Sequence, residues 1–208
     1  MNLLRKHWFD IGGFLAVATL IYIYKAYSNQ SSLSTILWLS LVSLFIHQLE
    51  EYRYPGYFPG MVNSAMYKSR SPDRYPLNTQ TSFVVNVPMG WLFYFLAALF
   101  ADRYIWLGIG TMLVSFGNVI GHTILFNLKG KTLYNPGMCT ALILFLPLLY
   151  WFGHTLYAEN LGDTTTWIAG IGLGIVLNVI GIVKLIDWMA DANTTYIFER
   201  RQLRPEDR

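Results

Sequence analysis

Six apolar stretches, each about as long as a bilayer is thick, leave this 208-residue chain few ways to fold. A helix that crosses the hydrocarbon layer needs about 20 predominantly apolar residues. The stretches run over residues 9–27, 33–51, 81–101, 104–128, 136–157 and 165–189. Inside lipid every backbone N–H and C=O must find a partner within the protein, which leaves only helices and closed barrels. Runs this long, without strict alternation, select helices. The predicted architecture is all-α: a polytopic bundle of six transmembrane helices over residues 1–190, followed by a basic tail over 191–208. Apolar residues make up 54% of the chain and charged residues 13%, which excludes an ordinary soluble domain. The first stretch follows Arg5 and Lys6, as a signal peptide would. It exceeds the usual h-region and lacks a small-residue cleavage site, so it reads as a retained span.

Charge sets the orientation. With the amino terminus in the cytoplasm, the inner segments hold Arg5, Lys6, Arg53, Lys68, Arg70, Arg74, Lys129, Lys131, Arg200, Arg201, Arg204 and Arg208. The outer turns hold only Lys25 and Arg103. By the positive-inside rule both termini are expected in the cytoplasm. The net charge of +3 is accounted for by this topology and gives no reason to expect a nucleic-acid partner. Cys139 is the single cysteine, so no intrachain disulfide forms.

Against this apolar background the ionisable residues stand out. The second stretch ends in His47-Gln48-Leu49-Glu50-Glu51. Positions i, i+3 and i+4 share a helix face, so His47, Glu50 and Glu51 are expected to point the same way. Two carboxylates at a helix C-terminus oppose the negative end of the helix dipole. A metal ion, a proton or a neighbouring cation must offset them. Intramembrane ionisable groups are functional-site candidates by default.

The fourth stretch carries a polar stripe, Thr111, Ser115, Asn118 and His122, at helical spacing. The third carries Asn86 and the sixth Asn178. Counting about 1.5 Å per residue, His47, Glu50, Glu51, Asn86 and His122 fall in the cytoplasmic half, with Asn118 and Asn178 nearer mid-membrane. The expected result is one cavity opening to the cytoplasmic side, lined by Asn118, Ser115, Asn86 and Asn178. The connection from Tyr52 to Gln80, rich in tyrosine and proline, follows the acidic motif directly and reads either as a lid or as an interfacial anchor. Asn135 and Pro136 are expected to cap and start the fifth helix, with an anion site at its N-terminus as the functional alternative. The tail from Asp191 is expected to be solvated, against anionic lipid.

Three function classes fit these residues. In the first, an enzyme, His47, Glu51 and His122 ligate one divalent metal, zinc or iron, with Glu50 as general base or as an outer partner that orients a ligand. Its substrate would be a hydrophobic small molecule or lipid. In the second, a metal-free acid/base isomerase or cyclase, the carboxyl pair splits its pKa values and aromatic residues such as Trp38, Trp91 and Trp188 stabilise a carbocation on an isoprenoid-like substrate. The third is a cation- or proton-coupled carrier, or a lipid-binding membrane protein. The absence of a visible inverted repeat favours an enzyme over a carrier. The sequence leaves the oligomeric state open.

H-Q-L-E-E followed by an aromatic, proline-rich loop resembles the HXXEE family of small bacterial membrane proteins, with His47, Glu50 and Glu51 on the three named positions. Tyr134-Asn135-Pro136-Gly137 through Thr140-Ala141 adds to the likeness, which extends over roughly residues 8–157. The family's second histidine motif, His-Glu, has no literal match; the candidate is His122, followed by Thr123. The resemblance implies a bacterial inner-membrane protein and brings no established activity.

Overall fold

The computed structural model describes residues 2–208. Six helices are long and apolar enough to span a membrane: α1 (Leu3–Asn29), α2 (Ser32–Tyr52), α3 (Thr79–Leu99), α4 (Ile105–Gly130), α5 (Met138–Ala158) and α6 (Thr164–Trp188). The chain is an all-α polytopic membrane bundle, as its hydropathy predicts. Side-chain caps start several helices where the sequence offers them. Ser31 accepts from Ser34 N at the start of α2, Asn78 accepts from Gln80 N and Thr81 N before α3, and Asp163 accepts from Thr166 N before α6. Each satisfies amide donors that a helix start leaves free.

The helix carrying the acidic motif is the centre of the bundle. In α2, 72% of the apolar window is buried, against 22% for α1, α3 and α6. It packs against α1, α3 and α5. The close pairing of α4 with α6 rests on glycines: a Cβ on Gly170 would meet Ile109, one on Gly174 would meet Leu113, and one on Gly117 would meet Asn178. Small residues let membrane helices approach to backbone distance.

Four spans contain wide π-helical turns: Val85–Trp91 in α3, Gly121–Leu125 in α4, Ala141–Phe145 in α5 and Val176–Lys184 in α6. Two have a cause in the sequence. Pro88 lies within the first, and Pro147 follows the third. A proline removes one helical donor and crowds the preceding turn, and a widened turn absorbs both effects.

The connection between α2 and α3 is folded. A short helix, Phe58–Met61, runs into a wide turn, Val62–Met66. Asn63, fully buried, clamps the segment: its Nδ2 donates to Pro72 O and Leu77 O, and its Oδ1 accepts from Leu77 N. Trp8, Phe9, Tyr52, Phe58, Val62, Leu77, Ile186 and Phe198 form a second apolar core beneath it.

Phe198 belongs to the tail, which differs here from the solvated expectation. Thr79 N donates to Tyr196 O, and Phe198 N to Asp73 O. Arg201 Nη1 donates to Tyr52 O and Arg53 O, Gln202 Nε2 to Tyr52 O, and Arg204 Nη2 to Gly130 O. The reason lies in the helices. The last carbonyls of α2 and α4 have no intrahelical partner, and guanidinium donors supply one while opposing the dipole.

Candidate metal centre

His47 and Glu51 stand one turn apart near the end of α2, and His122 comes from the wide turn of α4. All three are buried. One ligand atom from each lies within 4.8 Å of the others. Glu51 Oε1 is 3.6 Å from His47 Nε2 and 3.3 Å from His122 Nε2. For bonds of 2.0–2.1 Å, adjacent ligand atoms of a tetrahedral ion lie about 3.3 Å apart, close to the two spacings from Glu51. The imidazoles stand perpendicular, with centroids 4.8 Å apart.

The hydrogen bonds behind the rings fix which nitrogens carry protons. His47 Nδ1 lies 2.8 Å from Thr140 Oγ1. That hydroxyl gives its own proton to Glu50 Oε2 at 2.6 Å or to Gly137 O at 3.2 Å, both pure acceptors. It is therefore the acceptor for His47, and Nδ1 is the donor. His122 Nδ1 lies 2.6 Å from Asn135 Oδ1. The amide cannot be reversed, because Asn135 Nδ2 donates to His122 O and Asn127 Oδ1, each at 2.7 Å. His122 Nδ1 is therefore also a donor. Neutral rings protonated at Nδ1 leave bare lone pairs on Nε2. Both Nε2 atoms are buried without a hydrogen-bond partner, and both face the Glu51 carboxylate. Three electron-rich atoms thus converge on one point, an arrangement that a bound cation or a shared proton would satisfy.

The family described as proteins of unknown function with an HXXEE motif matches residues 38–152, more than half of the chain. This chain belongs to the HXXEE family. No curated protein and no solved structure matches it. The matched segment spans both histidines, both glutamates, Asn135 and Thr140.

The two glutamates of the HXXEE motif diverge, where one shared face was expected. Glu51 turns to the histidines and Glu50 to the start of α5. Glu50 accepts from Tyr134 Oη at 2.7 Å, Cys139 N at 3.2 Å, Thr140 N at 2.8 Å and Thr140 Oγ1 at 2.6 Å. The anion expected at the N-terminus of the fifth helix is thus the protein's own Glu50. Amide donors and the positive end of the α5 dipole offset the charge that the end of α2 disfavours. Burial and the adjacent Glu50 carboxylate hold the Tyr134 phenol above its ordinary pKa, so it stays a donor.

Asn135 does not cap α5, as its position before Pro136 predicts; its side chain is committed to His122 and Asn127. The helix begins at Met138, after Gly137 at φ +103°. A Cβ at Gly137 would come within 3.0 Å of three atoms of the His122 ring, so backbone conformation and ring contact both require glycine. Nothing in the spacing of Thr140, Tyr134 and Gly137 assigns them a role. Their signal was a polar run directly before an apolar stretch, at the depth of His122.

A cavity of about 450 Å³ adjoins the cluster. His47, Gln48, Glu51 and Tyr52 border it from α2, Ser82 and Asn86 from α3, and Asn118 from α4. Phe58, Val62, Met66, Tyr67 and Leu77 cover it from the connecting segment. Asn86 is held by Gln48 Nε2 at 3.0 Å, and Gln48 in turn by Trp91 Nε1 at 2.7 Å. Ser115 and Asn178 do not border the cavity. Ser115 pairs with the Tyr94 hydroxyl at 2.8 Å, and Asn178 donates to Gly174 O and across to Leu113 O. Glu50 and His122 lie behind the wall, and Trp38, Trp91 and Trp188 also lie outside it.

Proposed function

We propose that this HXXEE protein is a metal-dependent membrane enzyme in which His47, Glu51 and His122 hold one zinc or iron ion beside a cavity for a hydrophobic or lipid-like substrate. The observation that carries the reading is the pair of buried, unpartnered Nε2 atoms facing the Glu51 carboxylate. Two histidines and one carboxylate suit catalytic zinc and non-haem iron, each leaving a coordination position open. When bound, the ion acts as a Lewis acid that polarises a substrate oxygen.

The chain's own residues prepare the site. Thr140 and Asn135 fix both ring orientations, as outer partners of metal-binding histidines do. Glu50, which we infer to be a positioning residue, the second of the two roles its place in the motif suggests, acts on His47 through Thr140. Phe58, Phe126 and Phe145 lie with ring centroids within 5.0 Å of an imidazole and exclude water. For a metal-free cyclase, Trp38, Trp91 and Trp188 do not border the cavity, and its aromatic lining comes instead from residues such as Tyr52, Phe58, Phe93 and Tyr94. The basic residues support placing both termini in the cytoplasm, and the family resemblance supports the bacterial inner membrane.

Elemental analysis of protein purified without chelator tests the reading. About one zinc or iron per chain is expected, falling to background in His122→Ala. A folded wild-type chain that takes up neither ion would overturn it.

A further inference from the structure

The cavity is polar at one end only. His47, Glu51, Tyr52, Ser82, Asn86 and Asn118 gather beside the cluster, while Val85, Met89, Phe93, Leu177, Ile182 and Ile186 are among those lining the remainder. No lysine or arginine borders it among the described residues. Sites for phosphate supply guanidinium or ammonium groups, or the N-terminus of a helix. The α5 N-terminus is already taken by Glu50. Among the chain's own groups nothing in the wall offsets the desolvation of a phosphorylated head; the ion of the metal reading would, so the preference for an uncharged head is a property of the metal-free chain. The wall instead offers neutral hydrogen-bonding groups. Ser82 Oγ is buried without a partner, and Asn86 is braced from behind by Gln48.

The apolar end reaches the side of the bundle. Gly170 meets Ile109, Gly174 meets Leu113 and Asn178 meets Gly117, so α4 and α6 pack in one register through their N-terminal halves. Continued, that register would set Ile182 against Gly121 and Ile186 against Leu125. The wide turns Gly121–Leu125 and Val176–Lys184 interrupt it. Leu125, Ile182 and Ile186 border the cavity instead. Leu125 and Val183 both line the cavity and are 41% and 48% exposed, so the cavity wall is thin where these two helices part.

We propose that the occupant is a single-chain amphiphile with an uncharged, oxygen-bearing head, a hydroxyl, carbonyl or ester, that enters from the bilayer between the C-terminal halves of α4 and α6. Its head lies among Ser82, Asn86 and the metal ligands, and its chain lies along α3 and α6. The contact between head and ion rests on the metal reading. The neutrality of the head and the lateral path rest on the cavity walls.

The test uses the full chain in phosphatidylcholine nanodiscs, loaded with cobalt(II), whose visible bands report its ligands. Dodecan-1-ol should shift the bands saturably, and Val183→Trp should slow the onset of that shift by about tenfold and leave the bands of the alcohol-free protein unchanged. On the metal-free chain, a diazirine-bearing dodecanol should label the cavity at a bilayer mole fraction about tenfold lower than the corresponding dodecyl phosphate requires. The phosphate labelling the metal-free chain as well as the alcohol does, or an unchanged onset in Val183→Trp, overturns the proposal. Absence of cobalt binding overturns the metal reading alone. In that case a diazirine-bearing dodecanol photolabel decides the present proposal on the metal-free chain. Labelling on Leu125, Phe126 and Ile182–Ile186 supports it, and labelling confined to α1 overturns it.

Discussion

Thr140→Val isolates the support behind the metal centre from the ligands themselves. Valine keeps the branched shape and removes one hydroxyl. That hydroxyl accepts from His47 Nδ1 at 2.8 Å and donates to Glu50 Oε2 at 2.6 Å. Without it the imidazole loses the partner that fixes its tautomer, and the Nδ1–H is left buried and unpaired. Removing the outer partner of a metal-binding histidine weakens metal binding by about 10- to 100-fold. At about 1.4 kcal/mol per decade this is roughly 1.4–2.8 kcal/mol. Leaving a buried donor unsatisfied costs the fold about 1–3 kcal/mol in addition. Competition for zinc against a chromophoric chelator measures the first quantity, and the midpoint of thermal unfolding in detergent measures the second. Thr140→Ser restores the hydroxyl and should recover most of the affinity. A valine variant that binds zinc within about twofold of wild type would refute the claim that this hydroxyl orients His47.

The remaining expectations probe neighbouring contacts. Gly137→Ala places a methyl within 3.0 Å of the His122 ring, at a φ of +103°, and should lose bound metal as completely as His122→Ala in elemental analysis. Glu50→Gln puts an amide NH₂ among four donors and should cost roughly 1.5–3 kcal/mol in thermal stability as well as metal affinity. Tyr134 has a folded-state pKa above its unfolded value, so the folded chain keeps this proton as pH rises through about 10 and the unfolded chain does not. Its contribution to stability is present below that pH and lost above it, and Tyr134→Phe should show a shallower alkaline decline in chemical denaturation. Gly60→Val drives a side chain into the backbone at Gln202 and Leu203, and should release residues 199–208 to limited proteolysis.

The span positions were legible in the sequence because length and hydropathy alone determine them. His47 and Glu51 were legible as partners because i and i+4 share a helix face whatever surrounds them. His122 was found by its depth. The direction of Glu50 was not legible for a physical reason: successive residues on a helix diverge by about 100°, and only the neighbour met by each face decides between the roles open to it. That neighbour is α5, and nothing local to α2 announces it. Ser115 and Asn178 sit on the expected polar stripes but spend their hydrogen bonds on Tyr94 and on helix backbone. Periodicity assigns a face, and packing decides whether that face meets a cavity or another helix. The tail was misread because its basic residues were weighed against lipid and not against the open carbonyls of α2 and α4.

That tail also sets the order in which the site can be finished. Arg201 closes the end of the helix bearing His47 and Glu51, and Arg204 closes the end of the helix bearing His122. Both arginines are synthesised after all six helices. The ends of the two ligand-bearing helices are therefore tied together only after residues 199–208 have followed all six spans out of the ribosome. On the metal reading, the site reaches its braced form only when both arginines have joined the folded bundle.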